Sequence, residues 1–115
     1  MPHEEGSELL GGFIRMHILH HAAQGPVYGL WVIEELRRHG YSLSPGTLYP
    51  ILHGMERQGY VRSRPEREGR SARRVYNVTA KGRRVLAKLK IQLKELLGEI
   101  VEHDGSAGSG GALGT

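Results

Sequence analysis

The sequence predicts a mainly α fold with a small two-stranded β-wing: a winged helix-turn-helix followed by a long C-terminal dimerisation helix. Three observations predict it. Three short helical patterns come first, a pair of strand patterns follows, and the last helical pattern is much longer than the others. That order of elements is typical of a winged helix-turn-helix. The length of 115 residues suits one domain rather than two.

The first helical pattern extends from about Glu8 to Ala23 and is apolar on more than one face. A helix on a protein surface needs a single apolar stripe. We therefore expect this helix either to be central to the core or to meet a partner with its second face. The run Gln24-Gly25-Pro26 predicts its end.

The second helical pattern begins at Val27 or Tyr28 and ends near His39, because Gly40 stops it. Its apolar side chains fall on one side and most of its charged side chains on the other. A short turn over residues 40–43 separates it from the third pattern, so the two helices predict a helix-turn-helix.

The third helical pattern begins at Pro45, directly after the favourable N-cap residue Ser44, and ends at Gly59. Pro50 and Gly54 lie inside this helix and weaken it intrinsically. Tertiary packing of its apolar residues must therefore compensate.

Two short strands and a long helix complete the predicted fold. Residues 60–64 and 75–78 have strand patterns, and a polar hairpin tip around Gly69 separates them. Thr79 is the predicted cap of a helix over residues 80–103.

The chain accordingly divides into four predicted parts. Residues 1–7 form a flexible leader and residues 8–79 form the winged helix-turn-helix domain. Residues 80–103 form the dimerisation helix, and residues 104–115 form a disordered tail rich in Gly and Ser.

Composition excludes several classes of function. The chain has no Cys, which excludes disulfides, zinc–thiolate sites and thiol catalysis. No apolar run approaches the roughly 20 residues that span a bilayer, and the N-terminus has no signal-peptide core. We therefore expect a cytoplasmic protein without a membrane partner.

Positive charge is concentrated in one part of the chain. Residues 62–88 contain ten Lys or Arg and two acidic residues, a net of +8, whereas the whole chain carries +4. Six of these arginines fall within the thirteen residues 62–74, around the predicted hairpin. Such a block points to a polyanion partner, and an arginine-rich strand pair suits the negative potential of a DNA minor groove. A solvated hairpin without a partner is the alternative.

The third helix would enter the major groove of double-stranded DNA through its N-terminal residues. Thr47 and His53 can meet base edges, and Tyr49 can reach a phosphate or a thymine methyl group. Gly46 lets the backbone approach closely. The alternative is that Tyr49 and His53 only cover the surface. The predicted DNA contacts are Tyr28, Ser44, Pro45, Gly46, Thr47, Tyr49, His53, Arg67, Arg70, Arg73 and Arg74.

The last helix carries a short heptad seam, in which large apolar residues recur in steps of three and four. A helix of this length spans ~36 Å, more than the small winged domain can cover. The uncovered stripe should meet a second copy, with the extra face of the first helix as its docking place. Packing within one chain is the alternative. The predicted dimer contacts are Phe13, Met16, Leu86, Leu89, Leu93, Leu96 and Ile100.

Four stretches of the chain carry a family resemblance. They are residues 25–29 (GPVYG), 43–52 (LSPGTLYPIL), 56–61 (ERQGYV) and 69–82 (GRSARRVYNVTAKG). Through them the sequence resembles the PadR family of bacterial transcriptional regulators, over roughly residues 9–100. The resemblance implies a homodimeric repressor of the short subgroup with one C-terminal helix. Members of the family often respond to small aromatic or cationic compounds, or to no known ligand. Helix two departs from the family's usual Gly-Tyr-Glu-Ile with Gly29-Leu30-Trp31-Val32.

Two further features are candidate sites. Trp31 lies among charged residues, and packing at the edge of the dimer interface is its favoured interpretation; contact with a small aromatic effector is the alternative. His17, His20 and His21 have spacings that can chelate a metal, but no carboxylate lies near them in sequence. We therefore predict no metal and no cofactor. A pH-sensitive dimer contact is another interpretation of these histidines.

Three hypotheses of function result. The first is a dimeric repressor that binds a pseudo-palindromic operator in double-stranded DNA. The second is a winged-helix adaptor that binds protein and touches DNA only weakly and without sequence preference. The third is an enzyme that uses the histidines. Because the sequence has neither a nucleophilic triad pattern nor a phosphate-binding glycine loop, we expect no enzyme.

Overall fold

The computed structural model describes residues 7–108, apart from the side chains of residues 7, 68, 71 and 103–108. The first six residues of the predicted leader and the last seven of the predicted tail lie outside this range. The described part is mainly helical and has a small antiparallel sheet, which confirms the predicted fold class. Its elements in chain order are α1 (Ser7–Gln24), β1 (Val27–Tyr28), α2 (Gly29–Arg38), α3 (Pro45–Arg57), β2 (Val61–Glu68), β3 (Ser71–Val78) and α4 (Ala80–Gly108).

The sheet has three strands in the order β1-β3-β2, rather than the predicted two. Val27 and Tyr28, which we predicted at the start of α2, pair antiparallel with Tyr76 and Val75 instead. A β-branched residue and an aromatic residue favour extended backbone. The pairing that holds them there is with a segment almost fifty residues away, so local sequence patterns could not reveal this strand.

The hairpin of β2 and β3 is longer than predicted. Each strand has eight residues, and the register pairs Val61 with Val78 at the base and Glu68 with Ser71 at the far end. Only Gly69 and Arg70 remain as the connection, with Gly69 at a φ of +61°. A two-residue hairpin loop requires positive φ, which Gly adopts without strain. The predicted tip around Gly69 is therefore correct, but most of residues 65–72 belongs to the strands.

Every buried apolar side chain of the described core except Leu86 belongs to the part of the chain that ends at Arg84. The fully buried side chains of α3 offset the weakening by Pro50 and Gly54, as the sequence required. The largest side chains with no exposure or almost none are Tyr76, Ile18, Leu36, Leu48, Leu52, Val61 and Val75.

The start of α4 packs closely on the base of the hairpin. The Gly82 amide donates to Thr79 Oγ1 at 2.9 Å, which confirms the predicted cap. Thr79 Oγ1 in turn donates to the Gly59 carbonyl at 2.5 Å. A Cβ on Gly82 would collide with the Tyr60 carbonyl, so a glycine is needed there.

Residues from Val85 onward form a second unit, consisting of the rest of α4. The helix continues to Gly108, five residues beyond its predicted end at His103. A helix that has already formed gains one backbone hydrogen bond for each residue that extends it. The Gly- and Ser-rich composition of the tail did not predict this extension. Within residues 7–108, no helix combines the length and apolar character needed to cross a membrane.

Candidate nucleic-acid interface

One face of α3 is exposed and polar, and the opposite face forms part of the core. Leu48, Leu52 and Met55 are buried. On the other side the helix begins with an exposed first turn. The exposed residues on that side are Ser44, Pro45, Gly46, Thr47, Pro50 and His53. These include all the predicted DNA contacts of this helix except Tyr49.

The first turn of α3 lacks the side-chain cap that the sequence predicted. Ser44 occupies the N-cap position with extended backbone, but its side chain makes no capping hydrogen bond. Its hydroxyl instead donates to Thr47 Oγ1 at 3.3 Å. The Thr47 amide donates instead to the Ser44 backbone carbonyl at 3.0 Å. Amides at a helix start attract phosphate groups.

Gly46 is not required by the fold. A Cβ at this position would meet only Ser44 Oγ, at 3.8 Å. A glycine inside a helix costs up to ~1 kcal/mol relative to alanine. The packing within the chain does not explain why a glycine occupies this position. A close approach of the backbone to DNA would explain it.

Tyr49 has a structural contact of its own. Its ring is half-buried against Gly29, and a Cβ on Gly29 would come within 2.6 Å of Tyr49 Cζ. Gly29 therefore allows α2 and α3 to approach each other. The predicted contact of Tyr49 with DNA stays a prediction.

A carboxylate ties α3 to the base of the hairpin. Glu56 accepts hydrogen bonds from the Ser63 amide at 2.9 Å and from the Ser63 hydroxyl at 2.9 and 3.0 Å. The Ser63 amide is the main cause that holds the pKa of Glu56 below its ordinary value. Arg74 Nε donates to Ser63 Oγ at 3.1 Å, which places one predicted DNA contact beside this connection.

A second polar cluster occupies one face of the sheet. The Tyr28 hydroxyl donates to Glu66 Oε1 at 2.6 Å, and the Arg73 guanidinium lies 3.9 Å from the centre of the Tyr28 ring. Arg64 and Arg73 approach the Glu66 carboxylate at 3.8 and 3.9 Å. Tyr28 and Arg73, both predicted to contact DNA, are thus engaged within the chain. The sequence did not reveal this cluster because it depends on the unpredicted strand β1.

The remaining arginines of the hairpin differ from Arg73. Arg62, Arg67 and Arg70 are exposed, and within the described side chains none of them has an ion-pair partner. Arg70 lies in the connection itself and Arg67 is two residues before Gly69. Unpaired guanidinium groups at a hairpin tip can bind phosphate groups.

The residues predicted at a dimer interface are exposed to different degrees. Phe13 on α1 is 45% exposed and Met16 is half-buried. On α4, Leu86 is buried and Leu89 and Leu93 are half-buried, whereas Leu96 and Ile100 are 53% and 50% exposed. In the single chain, the apolar side chains in the second half of the heptad seam are therefore exposed to solvent.

The histidines of α1 meet a carboxylate that the sequence analysis did not associate with them. His17 lies 4.6 Å from the His39 ring, centre to centre, and His21 Nε2 lies 3.3 Å from Glu35 Oε2. Trp31, the candidate effector contact, is 44% exposed and meets the edge of His21 at 5.1 Å. The i,i+4 spacing of Glu35 on α2 and His39, the C-cap residue of α2, was the sequence signal for this group.

Electrostatics in this cluster favour an ionised carboxylate and a neutral His17. Burial alone raises the pKa of Glu35, but the His39 hydrogen bond and the charge of Arg38 lower that pKa below its ordinary value. The pKa of His17 is lowered, first by burial and then by the neighbouring His21 and His39.

Comparisons with known proteins agree with this architecture. The sequence profile of the transcriptional regulator PadR-like family matches residues 18–88. The chain is 48% identical over 88 residues to the transcriptional regulator Rv3488 of Mycobacterium tuberculosis, covering 76% of this chain and 82% of that one.

Solved structures show the same fold. A PadR family regulator from Eggerthella lenta superposes with a TM-score of 0.72 at 30% identity, covering 83% of this chain and 84% of that one. Bacillus subtilis PadR in complex with operator DNA superposes with a TM-score of 0.63 at 19% identity, covering 69% of this chain and 47% of that one.

Proposed function

Because the chain belongs to the transcriptional regulator PadR-like family, we propose that it acts as a homodimeric repressor on a pseudo-palindromic operator in double-stranded DNA. Each subunit would place the start of α3 in the major groove and the tip of its hairpin along the neighbouring minor groove. A Bacillus subtilis relative of the same fold has been solved on operator DNA, which supports this proposal.

One observation carries the proposal: the exposed face of α3 and the unpaired arginines of the hairpin belong to segments that Glu56 and Ser63 hold together. A base-reading helix and a phosphate-binding hairpin must keep a fixed relation to fit one DNA duplex. The hydrogen bonds between Glu56 and Ser63 supply a direct link between α3 and the base of the hairpin.

The two parts have different tasks in the proposal. Thr47 and His53 are exposed on α3 and carry groups that read base edges, so they would set sequence preference. Arg67 and Arg70 would bind phosphates, which adds affinity for any sequence and makes binding salt-dependent. This division can be tested directly.

The test is a selection of full-length protein on random duplex DNA at two salt concentrations. We expect an enriched pseudo-palindromic sequence. Thr47→Ala and His53→Ala should lower affinity for that sequence more than for random DNA, whereas the control Arg37→Ala on α2 should leave both affinities unchanged. Equal losses on both DNAs would contradict the role of α3 in base reading. A stoichiometric protein partner with no enriched DNA sequence would favour the adaptor function instead.

The homodimer is a separate part of the proposal. The exposed Leu96 and Ile100 continue a heptad seam, and a seam of this type buries its apolar side chains against a second helix. Leu96→Glu with Ile100→Glu should convert the protein to a monomer in sedimentation equilibrium. Lys94→Glu, a charge change outside the seam, should leave the dimer intact. A wild-type monomer at micromolar concentration would refute this part.

An effector is the remaining part. The half-exposed Trp31 ring offers a flat apolar surface to a small aromatic compound. Quenching of the single Trp of this chain by such a compound, with release of DNA, is the expected result. Release of DNA that persists in Trp31→Ala would contradict the assignment of Trp31.

A further inference from the structure

Imidazole groups surround one buried carboxylate where α1 meets the C-terminal end of α2. The ligand atoms of His17, Glu35 and His39 all lie within 4.8 Å of one another. Glu35 is only 8% exposed, whereas almost every other charged side chain of the described residues lies nearer the surface. We propose that these three side chains form a binding site for a divalent transition-metal ion.

The carboxylate is oriented for such a role. Glu35 Oε1 accepts a hydrogen bond from Arg38 at 2.8 Å, and Glu35 Oε2 accepts one from His39 Nε2 at 3.1 Å. Arg38 therefore holds one oxygen and leaves the other facing the imidazoles. Outer partners of this kind orient the carboxylates that ligate metals.

The packing of the rings favours a bound cation shared between them. The His17 ring lies 4.8 Å from the His21 ring and 4.6 Å from the His39 ring, centre to centre. When neutral, the His17 and His39 rings are therefore close enough for each to offer one nitrogen lone pair to the same ion.

A buried nitrogen in the cluster also lacks a hydrogen bond among the described residues. His21 Nε2 lies 3.3 Å from Glu35 Oε2, but within the described residues it makes no hydrogen bond of good geometry. Buried polar atoms of native proteins nearly always have a partner. This nitrogen lies beside the same carboxylate oxygen that faces His39. An ion bound at that oxygen would supply the cluster with a further polar partner.

The donor set selects the class of ion. Two imidazoles and one carboxylate suit Zn²⁺, Co²⁺ and Ni²⁺, whereas Mg²⁺ prefers oxygen ligands. Metal bonds of 2.0–2.1 Å place tetrahedral ligand atoms about 3.4 Å apart, so the widest spacing must close by roughly 1.4 Å. The His39 side chain is 48% exposed and can rotate to do so. Water would fill the remaining position.

No metal was predicted from the sequence because the prediction considered only the histidines of α1. The carboxylate comes from α2, and His39 follows it by one helical turn. The proposed site therefore joins two elements rather than two positions of one helix.

The test is Zn²⁺ titration of untagged full-length protein by calorimetry, with thermal unfolding as a second readout. We expect one saturable site in each chain, a rise in unfolding temperature with Zn²⁺ and no matching response to Mg²⁺. His17→Gln and His39→Gln should each weaken Zn²⁺ binding by about tenfold or more. His53→Gln, which removes an exposed histidine of α3, should leave Zn²⁺ affinity and the rise in unfolding temperature with Zn²⁺ unchanged.

Three outcomes would overturn the proposal. The first is the absence of saturable binding. The second is an equal loss in His53→Gln, which would indicate nonspecific binding to surface histidines. The third is a loss in His17→Gln and His21→Gln but none in His39→Gln, which would place the ion on α1 alone. Because His39 is exposed, its variant should remain folded, and circular dichroism without metal checks this.

Discussion

The base and the tip of the β2–β3 hairpin are made by the same two strands but have opposite surroundings. At the base, Val61, Val75 and Tyr76 are at most 2% exposed. At the tip, Arg67 and Arg70 are exposed and have no ion-pair partner among the described side chains. The base therefore contributes to the core, whereas the tip leaves two arginine side chains exposed. Changes at the two ends should accordingly separate stability from the proposed DNA binding.

The largest effect is expected at the base. Tyr76→Ala should lower the free energy of unfolding by about 3–5 kcal/mol, because it removes a large, fully buried side chain. Chemical denaturation measures this. The matched variant Tyr76→Phe should be close to neutral, because the Tyr76 hydroxyl is buried without a hydrogen-bond partner in the described structure. A large loss in Tyr76→Phe would contradict that reading of the hydroxyl.

A smaller effect is expected where α3 is joined to the base. Glu56→Gln should lower the free energy of unfolding by about 1–2 kcal/mol, since it weakens charged hydrogen bonds to Ser63. The effect should depend on pH. The pKa of Glu56 is lowered in the folded chain, so its contribution is present above the ordinary value of 4.5 and is lost as pH falls through the lowered pKa.

Denaturation of both proteins as a function of pH measures this contribution. The difference in free energy between wild type and Glu56→Gln should shrink as the solution becomes more acidic than pH 4.5. A difference that stays constant or grows in acid would show that the carboxylate charge does not stabilise the link between α3 and the hairpin.

The smallest effect on stability should come with an opposite effect on binding. Gly46→Ala should raise the free energy of unfolding by about 0.5–1 kcal/mol, because it removes a helical glycine where a Cβ would make only an ordinary contact with Ser44 Oγ at 3.8 Å. It should nevertheless weaken DNA binding if the backbone at Gly46 approaches the duplex. Gly12→Ala on α1 is the control, since its Cβ would meet nothing within 4 Å. It should stabilise the fold and leave binding intact. Equal DNA affinity of the two variants would remove Gly46 from the interface.

The sequence allowed prediction of those features that local chemistry decides. Ser44 and Pro45 located the start of α3, Thr79 located the cap of α4, and Gly69 located the hairpin turn. Thr79 and Gly69 each satisfy a backbone requirement within a few residues, and Pro45 fits the first turn of a helix although the Ser44 side chain makes no capping hydrogen bond. The outward-facing side of α3 followed from the same helical spacing.

The features that were missed depend on contacts between distant segments. The strand β1 exists because Val27 and Tyr28 pair with Val75 and Tyr76. Its presence engages Tyr28 with Glu66 and Arg73, so two residues predicted to contact DNA also have partners within the chain. Likewise, His17 and Glu35 meet only through the packing of α1 on α2. Spacing along one helix gives no information on such pairs.

We propose that the tip of the hairpin binds DNA through Arg67 and Arg70 and contributes little to the fold. The salt dependence of DNA affinity for the double variant Arg67→Ala, Arg70→Ala measures this. We expect weaker binding to all sequences, a slope of log K against log salt that is smaller by about two, and unchanged stability. The control Arg15→Ala, Arg37→Ala removes the same charge from α1 and α2 and should keep the wild-type slope. A double tip variant with wild-type affinity and slope would contradict the claim.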